Sequence, residues 1–221
     1  MRVLPDISRR NVLQWVPATA LTSALSATTV AARSPALSLG AIAAERGLLF
    51  GASLATHELD KPTGANYAAM YLADARILTS ELEFKMSSLR PQPQAIDFAG
   101  ADRFMTFAQK AGMLTRGHTL IWNDDLPDWI KALSSAEVTQ LLDAHITAVM
   151  TRYKGRVHTW DVVNEPIAPW DNTPGKLRSG PFLSALGRGY IDRSFRLARQ
   201  LDPAAKLVLN EQSTDRDDDY G

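Results

Sequence analysis

Five short apolar runs separate stretches with helical character, and this alternation limits the possible folds more than any other feature of the chain. The runs occupy residues 48–53, 75–79, 115–122, 157–163 and 207–209. They recur about every 35–45 residues, a βαβ pattern. Each run is continuously apolar rather than alternating, as expected for strands that helices cover on a parallel sheet. The sequence therefore predicts an α/β fold.

The stretches between the runs carry helical signals. Phe104, Phe107, Ala108 and Ala111 fall at i, i+3, i+4 and i+7, which predicts an amphipathic helix over 102–111. Ser134 followed by a glutamate three residues later is a capping box, so a helix should begin there. Further helices are predicted over 39–45, 67–73 and 190–201.

The run from Val157 to Pro166 ends in a carboxylate. Pro166 has no N–H for a sheet ladder, so the strand must stop there and leave Glu165 at its C-terminal tip, beside Asn164. In an α/β barrel that rim carries the chemistry, and polar residues also follow the other runs. A doubly wound open sheet would give the same alternation, but no Gly-x-Gly-x-x-Gly follows the first run. The pattern therefore favours a barrel.

The N-terminal residues resemble a bacterial twin-arginine export signal. Arg9 and Arg10 precede a mildly apolar stretch, Val12 to Val30, and small residues at 31–32 offer a cleavage site. Residues 1–33 are interpreted as this signal and 34–221 as the folded domain, which predicts a periplasmic or extracellular protein. The alternative is an N-terminal tail with a chance arginine pair.

Composition excludes several classes of function. The 24 basic and 24 acidic residues balance, so no basic field favours nucleic acid or, once the signal is removed, a membrane surface. The chain has no cysteine, which excludes disulfides and thiolate metal sites. Its histidines lack metal-ligand spacing, and neither a metal nor a cofactor is expected. They are His57, His118, His145 and His158.

Several ordered motifs resemble glycoside hydrolase family 10, the endo-β-1,4-xylanases. These motifs are Glu81–Lys85 before Pro91, Asp97–Gly112, Arg116–Trp122, Leu126–Trp129 and Trp160–Glu165. The resemblance covers about 48–212 in the order of that family. It implies a (β/α)8 barrel that cleaves xylan with retention of configuration, and xylan or a xylo-oligosaccharide as the partner.

The resemblance also implies roles for individual residues. Glu165 would be the general acid/base, and Asn164 would bind the sugar 2-hydroxyl beside the cleaved bond. Glu81 and Lys85 would hold the neighbouring xylose on the glycone side. The remaining candidates for contact with substrate are His118, Asn123, Trp129 and Asn210. His118 is interpreted as a hydrogen-bonded rim or core histidine rather than a base.

Three departures from the family pattern matter. Asn123 replaces a histidine that usually contacts sugar, and Leu82 replaces a sugar-binding asparagine. The chain also ends at Gly221, after about strands 1–5 of a barrel that has eight and about 250 residues. The family nucleophile follows the seventh strand, and Glu211 does not match its position. An incomplete barrel, C-terminally truncated and poorly active or inactive alone, is therefore expected.

Two other functions stay open at this point. Asn-Glu-Pro also occurs in other barrel β-glycosidases such as cellulases, although the segment before Trp122 argues against them. A carbohydrate-binding or degenerate remnant would fit Leu82, Asn123 and the missing strands. Trp129 and Trp170, in loops after strands, could each stack on a sugar.

Overall fold

The computed structural model describes residues 38–212. Its strands are β1 Gly51–Leu54, β2 Ile77–Ser80, β3 Leu114–Gly117, β4 Ile121–Trp122, β5 Thr159–Asn164 and β6 Lys206–Asn210. Its α-helices are α1 Leu39–Glu45, α2 Gly64–Asp74, α3 Met86–Leu89, α4 Ala99–Lys110, α5 Ser135–Tyr153, α6 Pro181–Leu186 and α7 Gly189–Leu201. The export signal predicted over 1–33 lies outside the described residues.

The strands form one parallel sheet. Its order is β1-β2-β3-β5, and both β4 and β6 also pair with β5. Helices connect the parallel neighbours, which confirms the predicted α/β class. Within residues 38–212, β1 and β6 do not pair with each other, so this sheet is not closed.

The prediction of one strand over 115–122 is wrong in one respect, because the structure has two strands there. β3 pairs with the start of β5 and β4 with its end. Between them, Leu120 N donates to the carbonyl oxygen of Asp161 at 3.0 Å, and Thr119 Oγ1 donates to the same oxygen at 2.8 Å. His118 bonds to Ser80 Oγ instead of continuing the ladder. The break between β3 and β4 therefore lies at the carboxyl end of β3, at the rim of the sheet.

The first predicted strand begins too early. Leu48 and Leu49 are 62% and 55% exposed, and β1 starts only at Gly51. The reason is the end of α1, where Gly47 takes a φ of +69° and Leu48 N donates to the Ala43 carbonyl oxygen. These two leucines therefore form the connection between helix and strand.

An aromatic cluster fixes β5 beneath the rim. Phe84 makes edge contacts with Phe104, Tyr153 and Trp160 at centroid separations of 6.0, 5.0 and 5.0 Å. Trp160 is fully buried and belongs to the core. A Cβ on Gly117 would lie 2.2 Å from the Trp160 ring, so only glycine lets β3 approach β5 here. The capping box at Ser134 and Glu137 is confirmed and begins α5.

No helix among residues 38–212 is both long enough and apolar enough to cross a membrane.

Candidate functional site

The C-terminal ends of the strands bring most of the predicted site residues together. An open depression of about 380 Å³ lies at this edge of the sheet. Glu81, Lys85, His118 and Asn210 line it, together with the strand residues Arg116 and Asp161. Because parallel strands share one carboxyl edge, residues far apart in the sequence meet here.

Glu165 lies at the rim and not in the apolar core. Its side chain is 20% exposed, and its backbone takes a φ of +46° directly after β5. Its N–H donates to the Asn210 carbonyl oxygen at 2.7 Å, which ties it to the end of β6. The carboxyl group is therefore held where solvent can reach it.

Arg178 is a partner of Glu165 that sequence reasoning missed. Its Nε donates to the Glu165 carbonyl oxygen at 2.6 Å, and its Nη2 lies 3.5 Å from Glu165 Oε2. Its Nη1 bonds Asp124, which follows β4. The guanidinium is almost fully buried, so it joins the loops after β4 and β5 around the acid. No spacing in the sequence indicates this contact.

A buried carboxylate organises the floor of the depression. Asp161 is 1% exposed and accepts from Arg116 Nε at 3.0 Å and Nη2 at 2.6 Å. His118 Nδ1 lies 2.9 Å from its other oxygen, so His118 is a hydrogen-bonded rim histidine. Sequence reasoning missed Asp161 and Arg116 as site residues. Each is a charged residue inside an apolar run, and this pattern could have indicated a buried, paired charge.

The same network orients two predicted amide side chains. Arg116 Nη2 donates to Asn210 Oδ1 at 2.9 Å, and Asn210 Nδ2 donates to Asn164 Oδ1 at 2.7 Å. The oxygen of the Asn164 amide is thus engaged within the protein. Its NH2 group is the part suited to bind a ligand hydroxyl.

Glu81 and Lys85 belong to the loop after β2. Lys85 Nζ lies 5.1 Å from the Trp122 ring centroid and 3.8 Å from Asp125 Oδ2. Beneath them the buried Glu83 accepts from Thr56 N at 2.6 Å and Leu82 N at 3.2 Å. Glu83 was also missed; it ties this loop to the segment after β1.

Four predicted residues do not line the depression. Asn164 and Glu165 adjoin it through their bonds to Asn210, whereas Trp129 and Asn123 have no such link. Trp129 is half-buried, and its Nε1 donates to the Arg90 carbonyl oxygen at 3.0 Å. Asn123 packs against Gly180, where an added Cβ would lie 2.3 Å from Asn123 Oδ1. Both residues stand in the loop after β4, outside the depression.

Glu211 is a second carboxyl group near Glu165. Burial raises its pKa, and the charge of Glu165 adds to the shift. The backbone N–H groups of Ile167 and Gln212 donate to its two oxygens at 2.9 and 3.0 Å. Through these bonds Glu211 has a structural role, because it fixes the start of the loop after β5. Among residues 38–212, no cluster of three or more metal-binding side chains could hold a metal ion.

The sequence model of glycosyl hydrolase family 10 matches residues 38–220. Endo-1,4-beta-xylanase 3 of Hypocrea jecorina is 39% identical over 150 residues, 67% of this chain and 42% of that protein. A beta-1,4-xylanase of Dictyoglomus thermophilum is 40% identical over 134 residues, 61% of this chain and 38% of that protein. The chain thus spans about two fifths of the length of these relatives.

Solved xylanases share the fold. Xylanase 10B of Thermotoga petrophila, in complex with xylobiose, superposes with a TM-score of 0.74 at 29% identity, over 81% of this chain and 54% of that one. Xylanase B of Clostridium stercorarium F9 gives 0.71 at 31% identity, over 80% and 56%. These similarities confirm the predicted partial (β/α)8 barrel.

Proposed function

The chain belongs to glycosyl hydrolase family 10, and on this basis we propose that it carries the acid/base and glycone-binding part of an endo-1,4-β-xylanase site. The observation that carries the proposal is the placement of Glu165. It stands at the tip of β5, reachable by solvent, next to the depression that Glu81, Lys85 and His118 line.

Glu165 would protonate the glycosidic oxygen as the bond breaks. A sugar alkoxide is a poor leaving group, so proton donation in the transition state contributes about 10²–10⁴-fold to such reactions. In a retaining enzyme the same carboxylate then takes a proton from the incoming water. Its tie to Asn210 and its contact with Arg178 keep it at one position through both steps.

Asn164 and the loop after β2 would position the xylose on the glycone side. Asn210 engages the Asn164 amide oxygen, which supports donation from its NH2 group to the sugar 2-hydroxyl. Glu81 can accept from sugar hydroxyls and Lys85 can donate to them. These polar groups along one edge of the depression suit a hydroxyl-rich substrate.

Retention also requires a second carboxylate as nucleophile, about 5–5.5 Å from the first. Glu211 is a second carboxyl group near Glu165, but two backbone N–H groups already bond its oxygens. We therefore expect the 221-residue chain alone to bind xylo-oligosaccharides and to hydrolyse xylan slowly or not at all.

Calorimetry and reducing-sugar assays test the proposal together. The chain should bind xylotriose and xylotetraose more tightly than the matching cello-oligosaccharides, and Glu81→Ala should weaken xylotriose binding about tenfold, as expected for the loss of a hydrogen bond to a charged group. Asp192→Asn, on the exposed side of α7, is the control. Equal affinity for cello-oligosaccharides would favour a cellulase, and ordinary turnover of xylan would refute the expected weak activity.

A fusion separates an enzyme from a carbohydrate-binding remnant. Residues 38–212 would be joined to the remaining barrel strands of the Thermotoga petrophila xylanase. The fusion should hydrolyse xylan, and Glu165→Gln should lower kcat by at least about 100-fold. A folded fusion that binds xylan without cleaving it would support the remnant instead.

We also propose twin-arginine export, with 1–33 as the signal and 34–221 as the exported domain. The support is the order of Arg9-Arg10, apolar stretch and small residues. A reporter fused after residue 33 should reach the periplasm, and replacing both arginines with lysine should stop it. Export that persists after this replacement would contradict the route.

A further inference from the structure

Glu211 is a half-buried carboxyl group that the proposed mechanism does not use. It directly follows β6, and one of its oxygens bonds the turn formed by residues 165–167. Burying a carboxylate costs free energy unless hydrogen bonds replace its hydration. Here one of the replacing bonds reaches the turn that carries Glu165, so Glu211 and the acid are physically linked.

The turn of Glu165 is held from two sides. Glu165 N donates to the Asn210 carbonyl oxygen at 2.7 Å, and Ile167 N donates to Glu211 Oε2 at 2.9 Å. From the other side, Arg178 Nε donates to the Glu165 carbonyl oxygen at 2.6 Å. Because Glu165 has a φ of +46°, its backbone depends on such contacts. Two of them come from side chains, those of Glu211 and Arg178, and substitution can remove each separately.

The charges around this turn are crowded. The Arg178 guanidinium lies 3.5 Å from Glu165 Oε2 and also bonds Asp124. Glu211 is a third carboxyl group in this cluster, since the charges of Glu165 and Arg178 both act on it. One guanidinium thus faces three carboxyl groups, more than its single charge can neutralise. A proton on one of these carboxyl groups is therefore favoured.

The titration of Glu211 reflects this crowding. Burial raises its pKa, two backbone N–H donors oppose that rise, and the charge of Glu165 adds to it. Tyr190, buried on α7, faces the same cluster: burial raises its pKa to about 12, while the charge of Arg178 lowers it and that of Glu211 raises it. The interaction between two titrating groups acts equally in both directions. Glu211 therefore opposes a second charge on Glu165 just as Glu165 opposes one on Glu211.

We propose that Glu211 is a positioning residue for the acid: it holds the turn that carries Glu165, and its like charge favours a proton on Glu165. This inference rests on the proposed function, because a general acid must carry a proton when the glycosidic bond breaks. Arg178 and Asn210 fix the same turn without supplying an opposing charge. Glu211 acts through Glu165 rather than by contact with the sugar.

Carbon NMR titration of the whole chain, with isotope-labelled glutamate carboxyl groups, tests the link between the two charges. The Glu211 signal should titrate above the ordinary glutamate pKa of 4.5, and Glu165→Gln should lower that midpoint, because the like charge is gone. Glu45→Gln, at an exposed glutamate that ends α1, is the matched control and should leave the midpoint unchanged. A residue that only shaped the fold would not couple the two titrations.

Amide hydrogen exchange at Ile167 tests the hold on the turn. Glu211→Ala removes the acceptor and should speed this exchange about ten- to hundredfold, as expected for the loss of a hydrogen bond to a charged group. Glu211→Gln keeps an acceptor oxygen and should stay within about threefold of the wild type. Urea unfolding midpoints verify that every variant is folded.

The outcomes are distinguishable. An unchanged Glu211 midpoint in Glu165→Gln, or wild-type exchange of Ile167 in Glu211→Ala, would overturn the positioning role. Either result would leave the proposed function intact, since neither measurement involves a sugar. A wild-type chain that binds no xylo-oligosaccharide would overturn both.

Discussion

Arg178 holds Glu165 by its backbone and faces its carboxylate with the same guanidinium. Nε bonds the carbonyl oxygen at 2.6 Å, and Nη2 lies 3.5 Å from Oε2. Glu165 has a positive φ, which costs a non-glycine residue energy and persists only where neighbouring contacts offset that cost. Arg178 provides that support, and its bond to Asp124 fixes the loop after β4 at the same point.

Replacing Arg178 should therefore loosen the rim. Arg178→Ala removes a buried charge and leaves the Glu165 carbonyl without this donor, so the free energy of unfolding should fall by about 1–3 kcal/mol. Arg178→Lys should recover only part of this loss, because an ammonium cannot reproduce the planar fork. Urea unfolding measures both effects.

The control for Arg178 is Arg196→Ala, which breaks an exposed pair with Asp192 on α7. It should leave the urea midpoint unchanged. Similar midpoints for Arg178→Ala and Arg196→Ala would show that Arg178 does not support the acid.

Asp161 should be the most sensitive charged position on the floor of the site. Asp161→Asn leaves Arg116 and His118 without their carboxylate, and the Arg116 side chain is partly exposed. The cost should be about 2–4 kcal/mol, somewhat below that of breaking a fully buried pair. Xylotriose affinity should also fall, since Arg116 orients Asn210 and, through it, Asn164.

The control for this variant is Asp143→Asn, whose partner Arg193 is a surface residue. It should cost less than about 1 kcal/mol, as surface pairs do. Unchanged stability of Asp161→Asn in urea would contradict the organising role of the network.

Gly117 should not tolerate a methyl group. In Gly117→Ala the new Cβ would meet the enclosed Trp160 ring at 2.2 Å, so β3 or the ring must move. Overpacking of this kind costs about 1–3 kcal/mol, and thermal unfolding can detect it.

Gly189→Ala provides the comparison, since an added Cβ there meets nothing within 4 Å. Because this position is helical, the variant should be neutral or slightly more stable. If both alanine variants melt at the wild-type temperature, the Trp160 ring accommodates the added methyl group and the close approach of β3 does not require glycine.

His145 should make the fold sensitive to mild acid. Burial lowers its pKa from 6.5 to about 3, and the charge of Arg90, whose Nε donates to His145 Nδ1 at 3.2 Å, adds to the shift. In the unfolded chain His145 therefore binds a proton below about pH 6.5, whereas in the native protein it stays neutral down to about pH 3. Stability from this group is complete above pH 6.5 and is lost as the pH falls through that window.

Urea unfolding between pH 6.5 and 5 measures this effect. His145 should contribute a slope of up to about 1.4 kcal/mol per pH unit, and His145→Gln should flatten it. His57→Gln, at an exposed histidine, should keep the wild-type slope. An unchanged slope in His145→Gln would show that His145 is protonated in the native state.

Local signals were sufficient for most of the strands and longer helices and for the position of Glu165. The apolar runs gave the strands within a few residues, and Ser134 with Glu137 gave the start of α5. Pro166 stopped β5, and so Glu165 came to stand at the rim. Such features depend on neighbours in the sequence, where backbone and side-chain chemistry act directly.

The tertiary structure determined which side chains of the site contact one another. Arg116 bonds Asp161 across 45 positions and Asn210 across 94, and Arg178 reaches Asp124 across 54. The register of β5 against β3 and β6 sets the contacts of Arg116, and the packing of the loops after β4 and β5 sets that of Arg178. The third predicted strand is two strands because its parts pair with the two ends of β5. A one-dimensional pattern can show that a residue is polar and ends a strand. Which charge it meets depends on how close the packed strands and loops bring their side chains, and that is fixed only when the sheet assembles.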